Sequence, residues 1–137
     1  MANSQAVGVA YSDPEFTTCY ASQEIGYSAA AQGTVTQATD KATGVTLNKS
    51  AGRITMNNAA LAGGAVASFV LTNSLLSAND TMVVCVSSNT TGSAAGAYTT
   101  YVSYLAAGSA LISLRNLSAT SYSEAVIINY SIIHGAS

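Results

Sequence analysis

The stretch Ala65-Val66-Ala67-Ser68-Phe69-Val70-Leu71-Thr72-Asn73 decides the fold class. In an extended chain successive side chains point to opposite faces, so Ala67, Phe69 and Leu71 fall on one face. Ser68, Val70 and Thr72 fall on the other. The segment 109–117 repeats the pattern, with Ile112 and Leu114 alternating with Ser113 and Arg115. The last segment, 124–134, differs. Val126, Ile128, Tyr130 and Ile132 share one face, while Ala125, Ile127 and Ile133 share the other with Asn129 and Ser131. A strand apolar on both faces is either central in a sandwich or covered by another subunit. Met82-Val83-Val84-Cys85-Val86 has the same character.

Working outward, further short runs are separated by turn signals. Strands are expected near residues 33–38, 45–49, 53–57, 65–73, 81–88, 98–105, 109–117 and 124–134. Ser50-Ala51-Gly52 and Ala106-Ala107-Gly108 read as hairpin links. The segments 57–64 and 89–96 read as longer loops rich in Ala, Gly and Asn, and Asn79-Asp80 as a turn marker. The expected fold is all-β: an antiparallel β-sandwich of about eight strands, jelly-roll-like, over residues 32–137. Residues 1–31 alternate little and hold Asp13, Glu15, Glu24 and the only proline, so they read as an N-terminal arm. Within it, Asp13-Pro14-Glu15 could start one helical turn, with Asp13 or Ser12 as the cap.

Composition agrees with β structure and narrows the function. Of the 137 residues, 49% are hydrophobic and only 7% are charged, against roughly 25% in ordinary soluble domains. Ser, Thr and Asn supply the polarity; they suit strands and turns better than helix interiors. A net charge of −2 gives no basic footprint, which argues against a nucleic-acid partner. So little surface charge points to a surface covered by copies of the chain or by a partner, the alternative being a hydroxyl-rich surface soluble unaided. No run is apolar and long enough for a membrane-spanning helix, so no membrane partner is expected. Residues 1–8 lack the basic start and apolar run of a signal peptide, so synthesis in the cytoplasm is expected. Cys19 and Cys85 are then expected as thiols, Cys85 as a small core residue, with a disulfide conceivable outside a cell.

Catalytic equipment is not visible. His134 is the only histidine, and no set of metal ligands or positioned catalytic partner can be named for it. There is no G-x-S-x-G elbow and no phosphate-cradling glycine motif, and the six carboxylates are scattered singly, so that any acid–base pair would be formed only by tertiary structure. Hence no enzyme, no cofactor and no metal are expected. The sequons at Asn48, Asn79, Asn89, Asn116 and Asn129 reflect only how common Asn, Ser and Thr are. The eight tyrosines carry more information. Tyr98, Tyr101 and Tyr104 lie on one strand, and regular alternation places Tyr98 and Tyr104 on the same face. Tyrosine suits subunit contacts, sugar stacking or a plain half-buried face. The residues expected at a subunit interface are Tyr98, Tyr101, Tyr104, Val126, Ile128, Tyr130 and Ile132. Those expected to attach the arm are Tyr11, Asp13, Glu15, Phe16 and Tyr20.

Residues 33–49, Gly33-Thr34-Val35-Thr36-Gln37-Ala38-Thr39-Asp40-Lys41-Ala42-Thr43-Gly44-Val45-Thr46-Leu47-Asn48-Lys49, are followed by Gly52-Arg53-Ile54-Thr55-Met56-Asn57. Together with Ser123-Glu124-Ala125-Val126-Ile127-Ile128-Asn129-Tyr130 and Ile132-Ile133-His134-Gly135, they resemble a recurrent module in structural proteins of tailed bacteriophages. The resemblance covers about residues 33–135 and implies a β-sandwich, often trimeric, attached to a capsid or tail. It implies no catalytic residue. The expected function is a capsid decoration (cement or head-fibre) protein of a virion. Residues 1–31 would dock on the major capsid protein and the sandwich would form a homotrimer. The competing expectation is a tail-fibre or receptor-binding module recognising host glycans through the loops 57–64 and 89–97 and through tyrosines.

Overall fold

The computed structural model describes residues 17–89 and 96–135. After a short 3-10 turn at Ala29–Ala31 come eight strands: β1 (Gln32–Thr36), β2 (Val45–Thr46), β3 (Ala51–Thr55), β4 (Val66–Thr72), β5 (Thr81–Asn89), β6 (Tyr98–Ala106), β7 (Ser109–Asn116) and β8 (Val126–Ile133). Each lies where alternation of apolar and hydroxyl residues predicts a strand. They form two four-stranded sheets, ordered β1-β3-β8-β5 and β2-β4-β7-β6. Their apolar faces share one core, so the chain is an all-β sandwich.

The first sheet contributes Ile54, Met82, Val126, Ile128, Tyr130 and Ile132 to that core, and the second Val45, Phe69, Leu71, Tyr98, Ala110, Ile112 and Leu114. Burying an aliphatic or phenylalanine side chain of this kind contributes about 1.5–3 kcal/mol relative to exposure. The doubly apolar β8 is central, with β3 and β5 on its two sides. On its outer face Ile127 is buried while Ile133 is exposed, and β5, which has the same doubly apolar character, is an edge strand with Val83 exposed.

Two features depart from the expected antiparallel, jelly-roll-like arrangement. First, β1 runs parallel to β3, and β2 parallel to β4. The other four pairings are antiparallel, so both sheets are mixed. Second, Ser50-Ala51-Gly52 is not a hairpin link. β2 belongs to the second sheet and β3 to the first, so the chain crosses the sandwich between them. Glycine at 52 serves close packing rather than a turn. A Cβ there would lie 2.6 Å from both Leu47 Cδ2 and Tyr130 Cε1. The crossover is held from inside the core, where the Tyr130 hydroxyl donates to the Lys49 carbonyl at 3.0 Å. The Asn73 amide donates to the same carbonyl at 2.8 Å.

Ala106-Ala107-Gly108 is a true hairpin link. Ala106 pairs with Ser109, and Gly108 takes φ 79, a left-handed conformation open to glycine at little steric penalty. Its amide donates to Leu76 O and its carbonyl accepts from Asn73 N, both at 2.9 Å. At the opposite end Leu61 bridges to Tyr122, and the buried Asn116 amide donates to Leu61 O (3.0 Å) and Thr120 O (2.8 Å). A buried polar knot closes that end. Lys41 Nζ donates to Asn57 O at 2.5 Å and Glu124 O at 2.6 Å. Gln37 donates to Lys41 O and Thr43 O and accepts from Asn57 N. Burial pushes the Lys41 ammonium below its ordinary 10.5, opposed by the nearby Glu124 carboxylate.

Candidate interaction surface

Pairing register determines which side chains share the outer face of the second sheet. Residues directly opposite one another in antiparallel strands project to the same side. One cross-strand row is Val66, Arg115 and Thr99; the next is Ser68, Ser113 and Tyr101. Val70, Leu111 and Tyr104 form a third. Val66, Val70 and Tyr101 are 44–47% exposed, and Tyr104 is 65% exposed.

A β-bulge builds this face. The β6–β7 register shifts between Val102 and Tyr104, so Ser103 is the extra residue. Tyr101 stands opposite Ser113 and Tyr104 opposite Leu111, both on the outer face. The expected sharing of a face by Tyr98 and Tyr104 is thereby overturned: Tyr98 points inward and Tyr104 outward. Ser103 uses its position well, since its hydroxyl bonds to Ser113 Oγ, which also bonds to Ser68 Oγ at 2.7 Å. Three hydroxyls in the centre of the face thus satisfy one another. Arg115 is the only charged side chain among these rows.

The remaining expected interface residues lie elsewhere. Val126, Ile128 and Ile132 are fully buried, and Tyr130 and Tyr98 nearly so, all in the chain's own core. They have no surface to offer a partner; the inward apolar face of the last strand packs into the chain's own core. Tyr98 packs edge-on against Tyr122, with ring centroids 6.4 Å apart. Its buried hydroxyl lies near the Glu124 carboxylate without a hydrogen bond of ordinary geometry. Burial first, and Glu124 second, push that phenol up to about 12.

Of the expected attachment residues, Tyr11, Asp13, Glu15 and Phe16 lie outside the described residues, as does the helical turn expected at residues 13–15. Tyr20 is 92% exposed. Residues 90–95 of the expected loop also lie outside them. Nearer the sandwich, the Tyr27 hydroxyl donates to Ile132 O and Lys49 Nζ donates to Ala30 O at 2.9 Å.

Cys85 is exposed on the outer face of β5 opposite Asn129, not in the core. The alternation that buries Met82 turns an odd-numbered residue outward there. Cys19 is exposed too, and both are free thiols. His134 has a partner that sequence could not name. Its Nδ1 lies 3.2 Å from Asp80 Oδ2. Asp80 also accepts from Ser77 N and Ser77 Oγ, both at 2.9 Å, and from Gly135 N at 3.0 Å. These bonds, the Ser77 amide first, hold the Asp80 carboxyl down at about 2. The pair ties β8's exit to the start of β5. Among the described residues no three His, Cys, Asp or Glu side chains gather as a metal site, and no helix is long and apolar enough to cross a membrane.

No protein-family model, curated protein or solved structure matches this chain. Its role is therefore read from its residues and their geometry.

Proposed function

We propose that the protein is a structural component of a bacteriophage virion, a capsid decoration protein of the cement or head-fibre type. Residues 1–31 attach it to the major capsid protein, and the sandwich associates with further copies as a homotrimer. It performs no catalysis. The observation that carries this reading is the outer face of the second sheet. There Val66, Val70, Leu111, Tyr101 and Tyr104 surround hydroxyls already bonded to one another. Aromatic and aliphatic side chains with few charges are the composition of an interface core, and tyrosines are frequent hot spots. The resemblance of residues 33–135 to phage structural modules supports the same assignment.

The test is reassembly. The whole chain and a chain lacking residues 1–31 are added to shells stripped of the protein, and the mass of each is measured by sedimentation. Binding that needs residues 1–31, with trimers at micromolar concentration, is the expected outcome. Binding of the isolated sandwich to host cells, with no affinity for shells, would instead identify a receptor-binding module for host glycans. A monomer throughout would remove the association through the second sheet.

A further inference from the structure

The outer face of the first sheet is chemically unlike that of the second. Register aligns Thr34, Arg53, Asn129 and Cys85 in one row across its four strands. Beside it runs the row Gln32, Ala51, Ser131 and Val83, small in its middle and apolar at its β5 end. An open depression of about 570 Å³ lies between β1, β3 and β8, its walls including Gln32, Thr34, Arg53 and Asn129. Ala51, the glycine backbone at 33 and 52, and Tyr130, whose side chain turns into the core, complete its lining.

Arg53 is the distinctive member. The chain has four Lys and Arg residues in all. Lys41 and Lys49 are engaged with carbonyl oxygens of the fold. Arg53 is exposed, and the ion pair found among the described residues is Asp80 with His134, elsewhere. None of the four strands of the first sheet contains an aspartate or glutamate. Its counter-charge is therefore not supplied from within the sheet. Around it stand neutral groups: the Thr34 hydroxyl and the Asn129 amide, which both donate and accept, and Gln32 Oε1, which accepts. The Gln32 Nε2 is occupied by Tyr27 O at 3.0 Å, which leaves the oxygen available.

From this geometry we infer that the depression is a binding site for a carboxylate-bearing sugar. Arg53 takes the carboxylate in a bidentate fork, and Thr34, Asn129 and Gln32 take ring hydroxyls. The shallow floor of Ala51 and glycine backbone admits a pyranose ring laid against it, because no exposed long side chain rises from it. A polyanionic peptide is disfavoured by the net charge of −2, which provides no attractive field at long range. Recognition has to be local, by one cation and its neutral neighbours.

The experiment is a titration of the full chain with glucuronic acid, followed through backbone amide resonances. Glucose, acetate and a short glutamate-rich peptide serve as parallel probes. Saturable shifts confined to the neighbourhood of Thr34, Arg53 and Asn129 are expected with glucuronate, with acetate and glucose each weaker by about tenfold or more. Arg53→Ala is expected to abolish the shifts, Arg53→Lys to restore them only in part, and Asn129→Ala to weaken them while the fold persists. Both side chains are exposed, so loss of binding is separable from loss of structure by the unchanged spectrum elsewhere. The inference is overturned if glucuronate gives no saturable shift at tens of millimolar, if acetate matches it, if the peptide binds more tightly, or if Arg53→Ala binds as well as the parent.

Discussion

Tyr101 and Tyr104 stand on the same outer face of the second sheet although three positions separate them, because Ser103 is a bulge between Val102 and Tyr104. In a regular strand, residues three apart point to opposite faces. The bulge converts a scattered pair of tyrosines into one surface, and its serine is anchored to Ser113 in the neighbouring strand. Replacing both tyrosines by serine is expected to shift sedimentation toward the monomer. Each such exposed change should alter monomer stability by no more than about 0.5 kcal/mol. Equal association by the double variant would move the interface to another face.

Gly52 gives a sharper test of the core. Gly52→Ala places a methyl 2.6 Å from both Leu47 and Tyr130. Overpacking of this kind is expected to destabilise by about 1–3 kcal/mol in urea unfolding. Gly64→Ala is a useful contrast: nothing lies within 4 Å of its added Cβ, and its loss comes only from φ 74.

Acid stability should depend on Asp80. Its carboxyl is held at about 2 against an ordinary 3.8. The unfolded chain therefore binds this proton more readily, and the contribution is present above about pH 4 and lost as pH falls toward 2. Asp80→Asn should flatten the acid limb of a stability–pH curve over that window. It should also speed hydrogen exchange at the Gly135 amide, which donates to Asp80. An unchanged acid limb would show that other carboxylates govern it.

At alkaline pH the buried phenols take over. Burial raises both Tyr98 and Tyr130 to about 12 from 10.0. The folded state holds these protons more tightly, so stability falls as pH rises from about 10 to 12. Tyr130→Phe should remove part of that slope. It should also lose about 1 kcal/mol near neutrality, since Lys49 O gives up one of its two donors. Phenolate absorbance titrated with unfolding monitored in parallel measures both.

Lys41 tests the polar knot. Lys41→Met keeps the length of the side chain but removes the charged donor to two backbone carbonyls, Asn57 O and Glu124 O. A loss of about 1.5–3 kcal/mol is expected by denaturant titration. A loss under about 1 kcal/mol would show that water replaces the ammonium.

What the sequence determined by itself is the set of strands and, within most of them, the buried face. Alternation in 65–73 and 109–117 is a local property, and Phe69, Leu71, Ile112 and Leu114 are buried as it requires. Glycine in Ala106-Ala107-Gly108 marked a real hairpin because a left-handed residue is needed within the turn itself. Which sheet each strand joins was decided only by tertiary structure. Ser50-Ala51-Gly52 has the composition of a turn, yet its glycine answers to Leu47 and to Tyr130, nearly eighty residues away along the chain. The parallel edge pairs follow from that crossover. The two faces that matter were equally hidden. Ser103 has no local signature as a bulge, and Arg53 meets Thr34 and Asn129 only through register between strands distant in sequence. Periodicity reports which side of its own strand a residue occupies; pairing decides what stands beside it, and pairing is a long-range choice made by the packed core.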